Sequence, residues 1–220
     1  MTIENEDFIR INYTGRLDDG TVFDTTDEEV AKEHDIYGEN TRYGSFVIIV
    51  GNRHVVEGLD EDVVGKEAGY HGTVEVPPEK GYGEHKTELV KTYPTSKFTE
   101  PPVKGMRAIV DEQQGVVVMK VGRRVRIDFN NPMAGKTIIF DYTIEDLIDD
   151  DLGKIKSLLQ SVFRRDFDVE LVDETAMIEP PSELRLNQNW LLMKSGIANE
   201  LLGSMELDSV RFVETYRNIG

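Results

Sequence analysis

Hydrophobic and polar residues follow a strand-like pattern in several short stretches of the first 84 residues and again near residue 140. Phe8 to Tyr13 mixes apolar and polar positions with a period of two, which predicts a half-buried strand. Asp18-Asp19-Gly20 predicts a hairpin turn that leads into a return strand at Val22-Phe23. Further strands are predicted at 46–50, 72–76 and 138–147.

One short helix is predicted among these strands. Its apolar face comprises Val55, Val56, Leu59 and Val63, and it ends near Gly65. The polar segment 27–45 has no clear period and is predicted to be a loop, and the acidic run 60–62 is interpreted as a solvated face. Together these elements predict an α+β fold in which an antiparallel sheet wraps around one short helix.

The segment 85–129 has its own strand pattern. Residues 106–110, 116–121 and 124–129 predict short strands, with a turn at 111–115. The segment is also basic, with nine Lys or Arg and five Asp or Glu, whereas 1–84 together with 130–150 holds eight and twenty-five. This contrast predicts a small β-rich domain inserted into the first one, and a single fold with patchy charge is the alternative.

A third pattern begins after Asp149-Asp150-Asp151. Helical spacing is found in Leu152, Ile155, Leu159, Val162 and Phe163, and again in Leu191, Ala198, Leu201, Leu202 and Met205. Strands are predicted at 167–172, 177–178 and 210–216, so this region is a small α+β domain. Trp190, which opens the second helix, is either a buried core residue or an interface anchor. The predicted domains are therefore 1–84 with 130–150, then 85–129, and finally 151–220.

Composition excludes several classes of protein. The chain has no Cys, which rules out disulfides, catalytic thiols and zinc–thiolate sites. Its four His share no metal-ligand spacing, and no nucleophile elbow, phosphate-binding loop or dinucleotide motif occurs, so neither a metal nor a cofactor is predicted. The net charge of −17 argues against nucleic-acid binding. No apolar run suits a membrane span and the acidic N-terminus does not resemble a signal peptide, so a cytoplasmic protein is expected.

Several motifs in order resemble the FK506-binding-protein (FKBP) family of peptidyl-prolyl cis-trans isomerases. They are Asn12-Tyr13-Thr14-Gly15, Leu17-Asp18-Asp19-Gly20-Thr21-Val22-Phe23-Asp24, Val50-Gly51 with Val55-Val56-Glu57-Gly58-Leu59-Asp60, Pro77-Pro78-Glu79-Lys80-Gly81-Tyr82-Gly83, and 130–141. The insertion after Tyr82-Gly83 resembles the SlyD-like subgroup, whose extra domain in the flap holds unfolded client chains. The C-terminal extension is similar to that of long archaeal-type members, and a homodimer through it is an expectation.

The resemblance implies a set of catalytic pocket residues, namely Tyr13, Phe23, Asp24, Phe46, Val55, Val56, Leu59, Tyr82 and Phe140, with Met133 at the rim. Leu59 stands where small family members carry a tryptophan. Candidate client-binding residues in the insertion are Leu89, Val90, Tyr93, Phe98, Met106, Val117 and Met119, each either on the surface or in the core of the insertion.

The implied function is isomerisation of X-Pro bonds in unfolded or proline-containing polypeptides, with no cofactor and with chaperone activity from the inserted domain. Rotation about this bond requires neither a nucleophile nor proton transfer, which agrees with the absence of hydrolytic motifs. The alternative is a pure holdase chaperone whose isomerase pocket is vestigial.

Overall fold

The computed structural model describes residues 1–216. Its strands are β1 (Phe8–Leu17), β2 (Val22–Thr25), β3 (Phe46–Ile49), β4 (His71–Val76), β5 (Val90–Pro94), β6 (Arg107–Val110), β7 (Gln113–Val121), β8 (Arg124–Asp128), β9 (Ile138–Ile148), β10 (Asp168–Val172), β11 (Thr175–Glu179) and β12 (Ser209–Phe212). The α-helices are α1 (Glu28–Glu33), α2 (Glu57–Asp62), α3 (Asp151–Phe163) and α4 (Gln188–Ser204). Within residues 1–216, no helix combines the length and apolar character that crossing a membrane requires.

The chain divides into two compact units. The first comprises residues 1–75 together with the chain from 139 onward, and the second comprises 76–138. The finer domain boundaries drawn from charge and motifs stay a prediction, and residues 217–220 of the predicted C-terminal domain lie outside the described residues.

The central sheet of the first unit has the strand order β2-β1-β9-β4, and β3 also pairs with β1. Since β1 is ten residues long, its first half pairs antiparallel with β3 and its second half with β2. Together with the separate four-stranded sheet of the second unit and the small C-terminal sheet, this architecture confirms the predicted α+β class.

The alternation along β1 and β3 gives the central sheet two different apolar faces. Ile9 pairs with Ile48 on one face, and Phe8 pairs with Ile49 on the other. The second face, which also includes Val47, forms one continuous core with the C-terminal helices, in which Leu159 is fully buried. The C-terminal region therefore packs directly on the back of the sheet.

Trp190 lies at the centre of this shared core. Its side chain is 1 % exposed, and its ring centroid lies 5.4 Å from those of Phe163 and Phe167 and 5.1 Å from that of Phe212. Of the two predicted roles for Trp190, the structure supports the core residue and not the interface anchor.

The second unit contains an antiparallel sheet in the order β5-β8-β7-β6, built on a small core of its own. The two ends of the insertion are held together by polar contacts. His85 Nε2 lies 2.7 Å from Asp128 Oδ2, and Asn130 Nδ2 donates to the Lys86 carbonyl oxygen at 2.9 Å. These contacts join the segments before β5 and after β8, and all four strands of this sheet lie within 76–138.

The structure differs from the predicted elements at several points. The predicted loop 27–45 contains α1, which Asp27 caps by accepting hydrogen bonds from the backbone of Glu29 and Val30. The turn predicted at 111–115 is shorter, since Asp111 and Glu112 alone adopt positive φ angles and β7 already begins at Gln113. The closing strand also ends at Phe212 rather than at residue 216.

The carboxylate of Asp141 on β9 leads to a testable prediction about the stability of the fold in acid. Its pKa lies below the ordinary value because Arg16 Nε donates a hydrogen bond at 2.8 Å, an effect that outweighs partial burial, and Thr73 donates another. A lowered pKa in the folded state means that this carboxylate stabilises the fold above its ordinary pKa near 4 and loses that contribution on further acidification. Asp141→Asn is expected to reduce the loss in urea midpoint between about pH 7 and about pH 3. Asp146→Asn, at an exposed carboxylate on the same strand, is the control, and an equal effect of both would contradict the assignment.

Candidate active site

Four aromatic side chains from four strands meet on one face of the central sheet, and we call them the ring cluster: Tyr13, Phe23, Phe46 and Phe140. The centroid of the Tyr13 ring lies 5.9 Å from that of Phe46 and 5.4 Å from that of Phe140, both edge-to-face. Phe23 contacts Phe140 in the same way at 6.0 Å. Edge-to-face packing adds about 0.5–1.5 kcal/mol per pair beyond burial, so the rings hold one another in fixed orientations.

The strand register explains why these rings meet. Tyr13 has the same parity on β1 as Ile9 and Ile11, so its ring emerges on the face opposite Phe8. Two residues further along, a Cβ atom on Gly15 would lie 2.8 Å from ring atoms of both Phe23 and Phe140. The absence of a side chain at Gly15 thus gives these two rings their space, a role that the motif 12–15 alone does not reveal.

A hydrogen bond fixes the polar edge of the ring cluster. The Tyr13 hydroxyl donates to Asp24 Oδ2 at 2.8 Å, and both residues are half-buried. Behind them, Thr26 is 5 % exposed, and its Oγ1 accepts a hydrogen bond from the Tyr13 backbone N–H at 3.0 Å. Sequence reasoning missed Thr26 because a threonine after a short strand has no distinguishing pattern.

The predicted helix residues occupy α2 and the segment before it. Leu59 is fully buried within α2, whereas Val55 and Val56 are half-buried and precede the helix, with Val56 as its N-cap. Val56 therefore belongs to the extended chain and not to the helical face predicted for it.

The acidic run beside Leu59 fixes α2 in place. Asp60 is 6 % exposed, and its carboxylate accepts hydrogen bonds from the backbone N–H groups of Gly51 at 3.0 Å and Arg53 at 3.2 Å. Asp62 accepts a short hydrogen bond from the Tyr142 hydroxyl, whose pKa is raised mainly by burial. The interpretation of this run as a solvated face is therefore wrong for Asp60 and Asp62.

The remaining two predicted pocket residues, Tyr82 and Met133, belong to the second unit, where both are half-buried. Their roles in the pocket stay predictions. In the first unit the ring contacts and the hydrogen bond join Tyr13, Phe23, Asp24, Phe46 and Phe140 directly.

The predicted client-binding residues differ in exposure. Leu89, Val90, Tyr93, Phe98 and Met106 are half-buried, and the last three pack against the core of the insertion. Val117 is fully buried in that core, so of its two predicted roles the structure supports the core residue. Met119 is 48 % exposed and is therefore available on the surface. Ile109 and Val121 are 76 % and 65 % exposed, and the sequence analysis did not predict them as client-binding residues.

A cleft of about 690 Å³ runs from the ring cluster to the C-terminal helices. Tyr13, Asp24 and Phe46 line one end of it, and Met193 and Gly196 of α4 line the other. A hydrogen bond joins the central sheet to the C-terminal helices here, because the Ser161 hydroxyl of α3 accepts from the Val47 N–H of β3 at 3.0 Å. The Arg164 guanidinium donates to the carbonyl oxygen of Tyr43 in the loop before β3.

The ring cluster and the Tyr13–Asp24 pair form an apolar surface with one polar edge, which suits contact with an apolar group. Such an arrangement can bind an apolar group by packing and orient a polar one by hydrogen bonding.

Comparison with known proteins identifies the family. Residues 1–99 match the model described as FKBP-type peptidyl-prolyl cis-trans isomerase, and residues 151–217 match the one described as FKBP26_C-terminal. The short-type peptidyl-prolyl cis-trans isomerase of Methanocaldococcus jannaschii is 35 % identical over 148 residues, which cover 66 % of this chain and 94 % of that protein. The chain belongs to the FKBP family and is an FKBP-type peptidyl-prolyl cis-trans isomerase, so its substrates are proline-containing polypeptides.

Two SlyD proteins are also similar to this chain. SlyD of Treponema pallidum is 29 % identical over 164 residues, covering 70 % of this chain and 85 % of that protein. SlyD of Vibrio cholerae is 27 % identical over 146 residues, covering 64 % and 66 % respectively. The predicted resemblance to the SlyD-like subgroup is thereby confirmed.

Proposed function

We propose that the X-Pro bond rotates at the ring cluster and that the insertion holds unfolded client chains for this reaction. The observation that carries the first part is the convergence of five predicted pocket residues, linked by ring contacts and the Tyr13–Asp24 hydrogen bond. In this proposal Phe23, Phe46 and Phe140 surround the proline ring, and Asp24 orients Tyr13. Leu59, Val55 and Val56 complete the apolar wall, and Tyr82 and Met133 keep the roles that the family resemblance gives them.

The chemistry requires no group that transfers a proton. The barrier of about 20 kcal/mol arises because a twisted amide loses its resonance. The twisted amide also carries less charge separation than the planar one. The barrier to rotation is therefore lower in an apolar site than in water. An enzyme gains rate only from interactions that are stronger in the transition state, and each tenfold acceleration requires about 1.4 kcal/mol.

The isomerase activity is tested on a short Ala-x-Pro-Phe peptide. Exchange spectroscopy measures the rate of its cis–trans exchange with and without the full chain. Acceleration is expected, and its absence would favour the holdase alternative. The Phe140 variant considered in the Discussion locates the reaction within the first unit.

The exposed apolar residues of the insertion support the chaperone part of the proposal. We call Ile109, Met119 and Val121 the client surface. Arginines lie next to it, since Met119 pairs with Arg126 and Val121 with Arg124 across the β7–β8 ladder. Apolar side chains among cations suit an unfolded chain of acidic or mixed composition, and a flexible Met adapts to varied partners. Weak capture of this kind would raise the local concentration of the client's prolines.

Replacing Ile109 and Met119 together by glutamate is expected to weaken suppression of client aggregation several-fold, because both apolar contacts are lost and acidic clients are repelled. Exchange of the short peptide is expected to be unchanged. The matched control replaces the exposed Gln113 and Gln114 on the same hairpin by glutamate, which adds the same charge without removing apolar surface. Equal effects of the two variants on aggregation would argue against the client surface.

We further propose a homodimer through α4. Leu191, Leu192 and Leu202 are 47 %, 72 % and 39 % exposed on the side of this helix that faces away from the core residues Trp190, Ile197 and Leu201. Sedimentation velocity is expected to find a dimer that Leu192→Glu together with Leu202→Glu converts to a monomer. A monomeric parent chain at micromolar concentration would refute this.

A further inference from the structure

The cleft between the ring cluster and the C-terminal helices is built from residues of the first unit alone. It borders the ring cluster through Tyr13 and Phe46, with Asp24 beside them, and its far wall is formed by α4. Its volume of about 690 Å³ lies within the range of about 300–1,000 Å³ that small binding sites occupy. The cleft is therefore large enough to hold more of a substrate than the proline ring.

The wall formed by α4 has a feature that the packing of the chain does not explain. Gly196 lies in the middle of this helix, where glycine costs about 1 kcal/mol relative to alanine. Apart from its chain neighbours and the backbone of α4, a Cβ atom at Gly196 would meet no atom within 4 Å, and the backbone there has no left-handed geometry that would favour glycine. The glycine thus leaves part of the helix backbone open toward the cleft, where another backbone can approach closely.

The side chains around Gly196 present both apolar and polar groups. Met193, 43 % exposed, lies one turn before it on the same wall, and Glu200 lies one turn after it, with Oε1 3.5 Å from His54 Nε2. The opposite rim is the loop that carries Tyr43, and the C-terminal region holds this loop through Arg164. The C-terminal region therefore both supplies one wall of the cleft and fixes the other.

We propose that this cleft binds the polypeptide segment that flanks the substrate proline, so that the C-terminal region forms part of the substrate site of the isomerase. The occupant is an extended chain whose backbone passes close to Gly196 and whose apolar side chain contacts Met193. The inference rests on the proposed placement of the reaction at the ring cluster, because the cleft is continuous with it. The C-terminal helices then select among proline-containing segments by what lies beside the proline.

The test uses the full chain and two peptides, Ala-x-Pro-Phe and the same sequence extended on both sides by several residues with apolar side chains. The parent chain is expected to turn over the extended peptide with the higher kcat/KM. Gly196→Leu, which fills the cleft, is expected to lower kcat/KM for the extended peptide about tenfold and to leave that for the short peptide nearly unchanged. The matched control is Gly203→Leu, at a glycine of the same helix that also has open space around it but does not line the cleft.

Both leucine variants are expected to fold, since neither site meets a neighbouring atom and leucine favours helix over glycine. The inference is overturned if Gly196→Leu leaves the extended peptide unaffected, if it slows both peptides equally, or if Gly203→Leu has the same effect. A wrong assignment of the reaction site gives a different result. In that case Phe140→Ala leaves turnover of the short peptide unchanged, independently of the results for Gly196→Leu and Gly203→Leu.

Discussion

Replacing Phe140 by alanine is expected to remove most of the isomerase activity toward a short proline peptide, with kcat/KM falling by more than about tenfold. Phe140 is 3 % exposed and contacts both Tyr13 and Phe23 edge-to-face, so its loss removes the ring that joins these two in the ring cluster. Truncation of a buried phenylalanine also costs about 3–5 kcal/mol of folding stability. Activity is therefore measured by exchange spectroscopy at a temperature where circular dichroism shows the variant to be folded.

Two further variants separate loss of the site from loss of stability. Phe140→Leu keeps an apolar side chain and is expected to regain stability while recovering only part of the activity. Phe167→Ala removes a ring that is 5 % exposed in the C-terminal core, where it packs against Trp190, and should destabilise the fold without lowering the turnover of folded protein. If folded Phe140→Ala retained the parent kcat/KM, the ring cluster would not be the reaction site.

Replacing Trp190 by alanine is expected to cause a large loss of stability, about 3–5 kcal/mol. The side chain is 1 % exposed among three other aromatic rings, in the core that the C-terminal helices share with the back of the central sheet. A cavity at this position loosens the packing behind β3, the strand that carries Phe46. Urea unfolding followed by circular dichroism measures the effect.

Asn189→Ala provides the matched comparison for Trp190. Asn189 is the preceding residue of the same helix and is exposed, so its truncation is expected to change the unfolding midpoint little. A small effect at Trp190, or equal effects at the two positions, would contradict the assignment of the shared core.

Much of the fold could be predicted because the information is local. The period-two pattern of β1 and the spacing of apolar residues along α3 follow from the side of each element that is buried. The helix α1 was missed because it buries Ala31 alone and is stabilised by its Asp27 cap and ion pairs, which leave no apolar period. The packing of α3 and α4 on the central sheet could not be predicted either, since both partners have ordinary amphipathic patterns.

In the insertion, the hydrophobic pattern does not predict which side chains of β7 are buried. Residues 116–119 are all apolar, so period-two reasoning cannot assign a face to any of them. A register shift between Val117 and Met119 then turns the first inward, to 0 % exposure, and the second outward, to 48 %. Only the strand pairing distinguishes a core residue from a candidate client contact here.

Trp190 is the one tryptophan of the chain, and its position makes it an intrinsic optical probe. Because its core continues into the back of the central sheet, its fluorescence emission should change when the sheet that carries the ring cluster unfolds. The insertion has no tryptophan, so opening or partial melting of its β-strands should leave that emission unchanged. Comparing the fluorescence transition with one followed by circular dichroism would then reveal whether the insertion melts before the first unit.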